Sequence, residues 1–196
     1  MTLTIYGDRI SGNCLKVKWV ADRMGAPYTW IDIDVVKGEA KSPAFLALHP
    51  GGQVPAVVLS DGRTLAQSNA IMLHLAEGSD LVPTDPYDRA TMFEWLFWEQ
   101  YTHEPAIAVR RYHKTYLGKT DAEIDPALMV KGAAALARME AGLKANKGWF
   151  AGTGLSLADI ALVAYTRVAH EGGFDLADYP VVADWVTRVE HALPIG

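Results

Sequence analysis

The stretch that decides the fold runs from Gln53 to Ile71 and reads QVPAVVLSDGRTLAQSNAI. Pro55 has no N–H group to donate to a sheet, so it marks the first residue of a short strand, Ala56–Leu59. The proline also holds Val54 in an extended conformation. The backbone groups of Val54 are then available to an extended peptide that adds itself as a further strand.

The second half of this stretch predicts a hairpin and a helix start. Asp61-Gly62 is a turn dipeptide, and Ser68 stands just before the periodic run Ile71, Met72 and Leu75, where a helix N-cap belongs. A hydroxyl beside the free N–H groups of a helix is a suitable site for a carboxylate. Two interpretations stay open: a hairpin followed by a capped helix, or a peptide-binding edge with a carboxylate pocket.

Size and charge exclude several classes of protein. The chain has 196 residues, half of them hydrophobic, and a net charge of −5, so it carries no basic surface of the kind that binds nucleic acid. No apolar run is long enough to span a bilayer, and the N-terminus lacks the pattern of a signal peptide. We therefore expect no nucleic-acid and no membrane partner.

The cysteine and histidine content bears on the cellular compartment and on metal binding. A single cysteine, Cys14, excludes an internal disulfide and fits a reducing compartment, so a cytoplasmic protein is expected. The six histidines are scattered without ligand spacing, and we expect no metal site.

The N-terminal half, residues 1–78, alternates strand and helix patterns. The expected order is β-α-β-α-β-β-α, which is a thioredoxin-like arrangement with a small mixed sheet. The predicted elements before the hairpin are Leu3–Tyr6, a helix from Cys14 to Gly25, Tyr28–Ile33 and a short helix that Ser42-Pro43 opens.

A linker rich in proline and small polar residues, 79–87, separates this half from an all-helical region, 88–196. A helix from Asp88 should kink at Pro105 and resume to about Tyr116. Three more helices are expected, one opened by Asp125-Pro126, one from Ser156 to Gly172 and one from Pro180.

Motifs in both halves resemble the glutathione S-transferase family. They are Gln-Val-Pro at 53–55, Gln-Ser-Asn-Ala-Ile at 67–71, Trp-Phe-Ala-Gly at 149–152 and Ser-Leu-Ala-Asp-Ile-Ala at 156–161. The resemblance implies a cis proline at Pro55, glutathione as co-substrate and a homodimer. In such a dimer, the first two helices of the second half would supply much of the interface.

The resemblance also implies which residue activates the glutathione thiol. In the family this group lies in the loop after the first strand, where the present chain reads Arg9-Ile-Ser-Gly-Asn-Cys14. Ser11 is the favoured hydrogen-bond donor to the sulfur, and Asn13 is the alternative, as in bacterial relatives with a Thr/Ser-x-Asn loop. Ser11 stands where other bacterial members carry a cysteine, which disfavours a mixed disulfide at this position. Cys14 either mimics a redox Cys-x-x-Cys motif or is a buried lone cysteine.

Five further residues are implied to bind glutathione. Gln67 and Ser68 would hold the γ-glutamyl group, and Val54 the backbone of the cysteinyl residue. Lys41 and Gln53 would approach the glycyl carboxylate, although Lys41 is equally consistent with a solvated loop lysine.

The kinked helix is expected to bind the second substrate. His103, Ile107 and Arg110 recur at about one turn and are the candidates. His103 is equally consistent with a structural histidine, and the basic cluster 110–114 with a solvated helix face.

The predicted function is that of a glutathione transferase, which activates the glutathione thiol for attack on a small electrophile. Two alternatives remain: a glutathione-dependent disulfide-bond reductase, and a non-catalytic binding protein with the same fold. The second-substrate pocket of such proteins is built from variable apolar side chains, so the sequence does not identify the electrophile.

Overall fold

The computed structural model describes residues 2–193 and residue 195, and it divides into two compact units between Ser79 and Asp80. The first unit has the predicted order of strands and helices. These are β1 Leu3–Gly7, α1 Gly12–Arg23, β2 Tyr28–Asp32, α2 Pro43–Leu48, β3 Ala56–Val58, β4 Thr64–Ala66 and α3 Ser68–Leu75. The thioredoxin-like fold class is confirmed.

The four strands form a mixed sheet in the order β2-β1-β3-β4, with β1 parallel to β2 and antiparallel to β3. Ile5 of β1 pairs with Val57 of β3, and both side chains are fully buried. Tyr6 pairs with Ala56, so the end of β1 lies beside the start of β3. This register brings the loop after β1 next to Pro55.

Two helix starts differ by one or two residues from the prediction. Helix α1 begins at Gly12 rather than Cys14, because the Ser11 carbonyl already accepts from the backbone N–H groups of Cys14 and Leu15. Ser68 is the first residue of α3 and not its N-cap. The cap is Gln67, whose φ is 70° and whose carbonyl accepts from Ile71 N–H.

The second unit is helical. Its helices are α4 Pro86–Trp98, α5 Glu104–Thr115, α6 Pro126–Ala145, α7 Leu157–Thr166 and α8 Pro180–Ala192. In the part of the chain that the structure describes, no helix is both long and apolar enough to cross a membrane.

The irregularity expected at Pro105 lies just before it. A five-residue π-helical segment, Glu99–His103, separates α4 from α5, and Pro105 occupies the first turn of α5. A proline in the first turn needs no backbone hydrogen bond to the preceding turn, so the disturbance is absorbed by the wider π turn ahead of it.

The end of α7 corrects the prediction. The helix ends at Thr166 rather than at Gly172, and a 3₁₀ turn, Ala169–Gly172, follows. Within the predicted linker, Leu81 is buried and its carbonyl accepts from Leu157 N–H at 3.0 Å. The apolar part of this segment therefore belongs to the core of the second unit.

Helix α7 is the centre of that core, since every one of its residues is buried. At its start the Asp159 carboxylate accepts hydrogen bonds from four donors. They are the backbone N–H and hydroxyl of Ser156, Phe150 N–H and the Trp185 indole N–H. Burial raises the pKa of Asp159 to about 6, against the lowering effect of these donors, so the group is ionised at neutral pH.

Replacing Asp159 by asparagine should destabilise the protein. The amide nitrogen of the Asp159→Asn variant cannot accept a hydrogen bond, so at least one buried donor loses its partner, at a cost of about 1–3 kcal/mol. Urea unfolding at neutral pH measures this loss. The exposed helix cap Asp125→Asn is the matched control and should lose less than about 0.5 kcal/mol, because asparagine caps helices as well as aspartate does. Equal losses in the two variants would contradict the assigned role of Asp159.

Candidate functional site

The loop between β1 and α1 is held in place by Asp8. One carboxylate oxygen accepts from Ile10 N–H at 3.0 Å and the other from Val35 N–H at 2.9 Å, while the Asp8 carbonyl accepts from Ser11 N–H. Asp8 is 9% exposed, so these bonds are shielded from water. The loop that carries Ser11 and Asn13 thus has a fixed backbone.

Asn13 connects this loop to the start of α3. Its side-chain oxygen Oδ1 accepts from the Ser68 hydroxyl at 3.2 Å, across 55 positions of sequence. The same oxygen accepts from Lys16 Nζ at 2.8 Å. Ser68 and Lys16 are both buried. Two predicted site residues, one from each half of the proposed glutathione site, are therefore in direct contact.

Ser11 has an extended backbone at the N-cap of α1 and is half-buried, and its side chain forms no cap bond. Its hydroxyl is instead hydrogen-bonded to Cys14. The Cys14 side chain is fully buried, which settles the choice between a redox and a buried cysteine in favour of the latter. Burial raises the pKa of the Cys14 thiol to about 11, although the bond from Ser11 acts in the opposite direction.

The peptide bond between Val54 and Pro55 is cis, as the resemblance implies. Val54 is half-buried and Gln53 is exposed. The exposed Lys41 side chain reaches the same segment, because its Nζ donates to the Gly51 carbonyl at 3.3 Å. A methyl group at Gly52, whose φ is 57°, would lie 2.9 Å from the backbone carbonyl oxygen of Ala40, so this position requires glycine.

Gln67 is exposed, and its unusual backbone directs the chain into α3. Ser68 follows as the first residue of the helix, where backbone N–H groups lack partners within the helix. The arrangement suits a carboxylate through the helix end and the neighbouring backbone. The Ser68 hydroxyl is oriented towards Asn13.

The three residues predicted for the second substrate all belong to the second unit and are buried there. His103 Nε2 lies 2.9 Å from Thr166 Oγ1. Because the Thr166 hydroxyl donates to the Leu162 carbonyl at 2.7 Å, its oxygen accepts the Nε2–H of His103. This contact is typical of the structural histidine that the sequence left as the alternative.

The basic cluster is not a solvated helix face at its first two positions. The Arg110 guanidinium donates to the Gly172 carbonyl at 2.7 Å and pairs with Asp121. Arg111 pairs with Glu171 at 2.6 Å and donates to the Tyr116 hydroxyl. Ile107 is fully buried. The binding of a second substrate by His103, Ile107 and Arg110 stays a prediction, and the observed contacts of the two polar residues favour a structural role.

Sequence reasoning missed two residues of the site, Asp8 and Lys16. Asp8 follows Gly7 at the end of a strand, which indicates a turn but not the two backbone N–H groups that it binds. Lys16 lies between Cys14, Val17 and Trp19 on the buried face of α1. A position on an apolar helix face was the available signal for Lys16. Among the described residues, no group of three His, Cys, Asp or Glu side chains is arranged to hold a metal ion.

Comparison with protein families gives a match in each unit. Residues 10–77 match the family described as "Glutathione S-transferase, N-terminal domain". Residues 93–192 match "Glutathione S-transferase, C-terminal domain". The two matches together cover most of the chain.

Individual proteins agree with these matches. A crystal structure of a glutathione S-transferase from Xanthobacter autotrophicus Py2 is 44% identical, with a TM-score of 0.91 over 98% of this chain and 94% of that one. Human glutathione S-transferase theta-1 is 32% identical over 98% of this chain and 84% of its own length. The disulfide-bond oxidoreductase YfcG of Escherichia coli is 29% identical over 89% of this chain and 84% of its own.

The Cys14 thiol should be unreactive in the folded protein. With its pKa raised from 9.0 to about 11, the thiolate fraction at pH 8 falls about 100-fold. Alkylation by iodoacetamide at that pH should therefore be at least about 100-fold slower in the native protein than in urea, and it should accelerate as the pH rises towards 11. Because the folded state holds the thiol proton more tightly, raising the pH from about 9 to about 11 also lowers the free energy of unfolding. Equal labelling rates in the native and unfolded protein would contradict the buried, protonated thiol.

Proposed function

The chain belongs to the glutathione S-transferase family, and we propose that it is a glutathione transferase whose thiol-activating groups are Ser11 and Asn13. The observation that carries this proposal is the hydrogen bond from Ser68 to Asn13. It joins the segment proposed to hold the γ-glutamyl end of glutathione to the loop proposed to meet its sulfur.

Binding of glutathione uses the edge formed by the cis Val54–Pro55 bond and the start of α3. The backbone of Val54 pairs with the cysteinyl residue of the ligand as an added strand. Gln67 and the first N–H groups of α3 hold the γ-glutamyl group. Gln53 and the exposed Lys41 approach the glycyl carboxylate, a role supported by the contact of Lys41 with the Gly51 carbonyl.

Activation requires the thiol to lose its proton near neutral pH, where a free thiol is mostly protonated. A hydroxyl or amide N–H that donates to the sulfur stabilises the thiolate and lowers its pKa. Ser11 supplies a hydroxyl, and Asn13 supplies an amide whose oxygen already accepts from two donors. The N-terminus of α1, next to both residues, favours an anion as well.

The transfer step then follows from ordinary nucleophilic chemistry. The thiol proton leaves to solvent, and the sulfur lone pair forms a bond to an electrophilic carbon of the second substrate. The electron pair of the broken bond departs with the leaving group or moves onto an adjacent electron-withdrawing group. No residue of the chain becomes covalently modified in this scheme.

A second candidate is glutathione-dependent reduction of disulfides. The favouring observation is that the Asn13 amide is fixed by Lys16 and Ser68, and a relative of this chain, YfcG, is named a disulfide-bond oxidoreductase. One glutathione thiolate would attack the substrate disulfide, and a second would release glutathione disulfide. A small disulfide would then turn over faster than a chloroaromatic substrate, and Asn13→Ala would cause the greater loss.

The third possibility, a binding protein without turnover, is tested by affinity capture on immobilised glutathione followed by an assay of both reactions. Retention with no turnover of any electrophile or disulfide would favour it. Failure to bind glutathione would refute both enzymatic hypotheses. The cytoplasm supplies reduced glutathione, and we propose that the protein acts there.

A homodimer is the proposed assembly. Phe93 and Phe97 stack at 6.2 Å on one side of α4, and Phe97 and Tyr101 are 72% and 88% exposed. Large aromatic side chains are enriched at protein interfaces, and contiguous exposed apolar patches mark interaction sites. This aromatic stripe of Phe93, Phe97 and Tyr101 supports the assembly expected from the family.

Removing the proposed sulfur donors should raise the pKa of enzyme-bound glutathione. We expect Ser11→Ala or Asn13→Ala to raise it by about one unit and to lower kcat/KM at neutral pH about 10-fold, which corresponds to one lost hydrogen bond to an ion. The pH dependence of kcat/KM measures both effects. Asp125→Asn, at the exposed N-cap of α6 in the second unit, is the control and should leave the profile unchanged. A profile that neither donor variant alters would refute the assignment.

Introducing a charge into the aromatic stripe should dissociate the dimer. Phe97→Glu is expected to shift the protein from dimer to monomer in sedimentation velocity, because a carboxylate in an apolar interface loses its hydration. Val130→Glu on α6 is the matched control, since Val130 is 69% exposed and lies outside the stripe. A Phe97→Glu protein that sediments as the wild type does would place the interface elsewhere.

A further inference from the structure

We propose that Lys16 is a positioning residue, which holds the Asn13 amide with its NH₂ group presented to the glutathione sulfur. The inference rests on the function proposed above and adds a residue to its machinery. Lys16 itself touches no substrate in this scheme.

The first observation is the burial of Lys16. Its side chain has no exposed surface, because it lies on the packed face of α1 with Cys14, Val17 and Trp19. Lysine is almost never fully buried unless its charge is paired or hydrogen-bonded, because removing an ammonium group from water is costly. The buried ammonium group of Lys16 therefore needs hydrogen-bond acceptors, and one of them is Asn13 Oδ1, 2.8 Å from Nζ.

The second observation concerns the orientation of the amide. An ammonium group carries only donors, so the atom of Asn13 that faces Lys16 is the oxygen and not the nitrogen. The Ser68 hydroxyl donates to the same oxygen at 3.2 Å. Two donors therefore fix one end of the planar amide, and Nδ2 is the atom of Asn13 that can donate to an anion.

The third step is electrostatic. A hydrogen bond from a charged donor to an amide oxygen is stronger than a neutral one, and it polarises the amide so that its N–H groups become better donors. Lys16 thus both orients Asn13 and strengthens the bond that Asn13 offers to a thiolate. A lysine that merely supports the packing of α1 would do neither.

The variant Lys16→Met separates these roles. Methionine is apolar and of similar length, so it fills the space of the lysine side chain while it removes the charge and the hydrogen bond to Asn13. Lys18→Met is the matched control, because Lys18 lies on the same helix and pairs with Asp22 rather than with Asn13. Thermal unfolding of both variants checks that they are folded.

The decisive measurement is the pKa of enzyme-bound glutathione, followed by thiolate absorbance. In Lys16→Met we expect a rise of about one unit and a fall in kcat/KM of about 10-fold at neutral pH, as for the loss of the Asn13 bond itself. Affinity for S-methylglutathione, which has no thiol to ionise, should change less than about threefold. Lys18→Met should leave the thiol pKa at the wild-type value.

A double-mutant cycle tests whether Lys16 acts through Asn13. In an Asn13→Ala background, Lys16→Met should cause no further change in the thiol pKa, because the intermediate group is already gone. A full additional shift in that background would overturn the proposal and assign Lys16 a direct action on the sulfur. An unchanged thiol pKa in the single variant would overturn it as well.

A measurement on the ligand-free protein keeps this inference separate from the proposed function. The side-chain amide of Asn13 should give one pair of slowly exchanging proton signals in the wild type, and faster exchange with a shifted signal in Lys16→Met. If the wild type fails to bind glutathione, the proposed function is refuted. The amide signals still test whether Lys16 fixes the orientation of the Asn13 side chain. Identical amide signals in the two proteins would refute the role of Lys16.

Discussion

The hydrogen bond between the Ser68 hydroxyl and Asn13 Oδ1 is the interaction on which the site depends. It can form only if α3 begins where it does, because the backbone of Gln67, at φ 70°, turns the chain so that Ser68 opens the helix. It also requires a fixed loop after β1. The Asp8 carboxylate fixes this loop by accepting hydrogen bonds from the backbone N–H groups of Ile10 and Val35. One side-chain contact thus depends on two separate local structures.

The sheet explains why these local structures meet. Because β1 is antiparallel to β3, the pairing of Tyr6 with Ala56 sets the loop after β1 beside the cis Val54–Pro55 bond. The parallel β2 on the other side requires a crossover helix, α1, and the first two turns of this helix carry Asn13 and Lys16. Because β1 lies inside a mixed sheet, the loop after β1 and the segment before β3 meet at the same end of the sheet, although they are far apart in sequence.

The fold could be predicted from the sequence because turn and cap residues mark each element. Pro55, Asp61-Gly62 and Pro180 act through their own backbone chemistry, which needs no knowledge of the tertiary structure. Lys16 and Arg110 could not be interpreted in this way, since a charged residue on a helix is normally assigned to solvent. Their burial is decided by partners distant in sequence, such as the Gly172 carbonyl for Arg110, and residue type alone does not reveal those partners.

Asp159 and Asn13 both accept hydrogen bonds from several donors, but these bonds serve different purposes. The Asp159 carboxylate accepts from Ser156 at the N-cap of α7, from Phe150 in the preceding loop and from Trp185 of α8, and both of its oxygens are used within the second unit. The two ends of the Asn13 amide have different roles. Its oxygen accepts hydrogen bonds from Lys16 and Ser68, while its nitrogen is of the type that can donate to a sulfur anion. A planar amide cannot turn one end without the other. Any change in the bonds from Lys16 or Ser68 therefore alters the direction of the proposed catalytic donor, which couples the packing of α1 and α3 to the chemistry of the thiol.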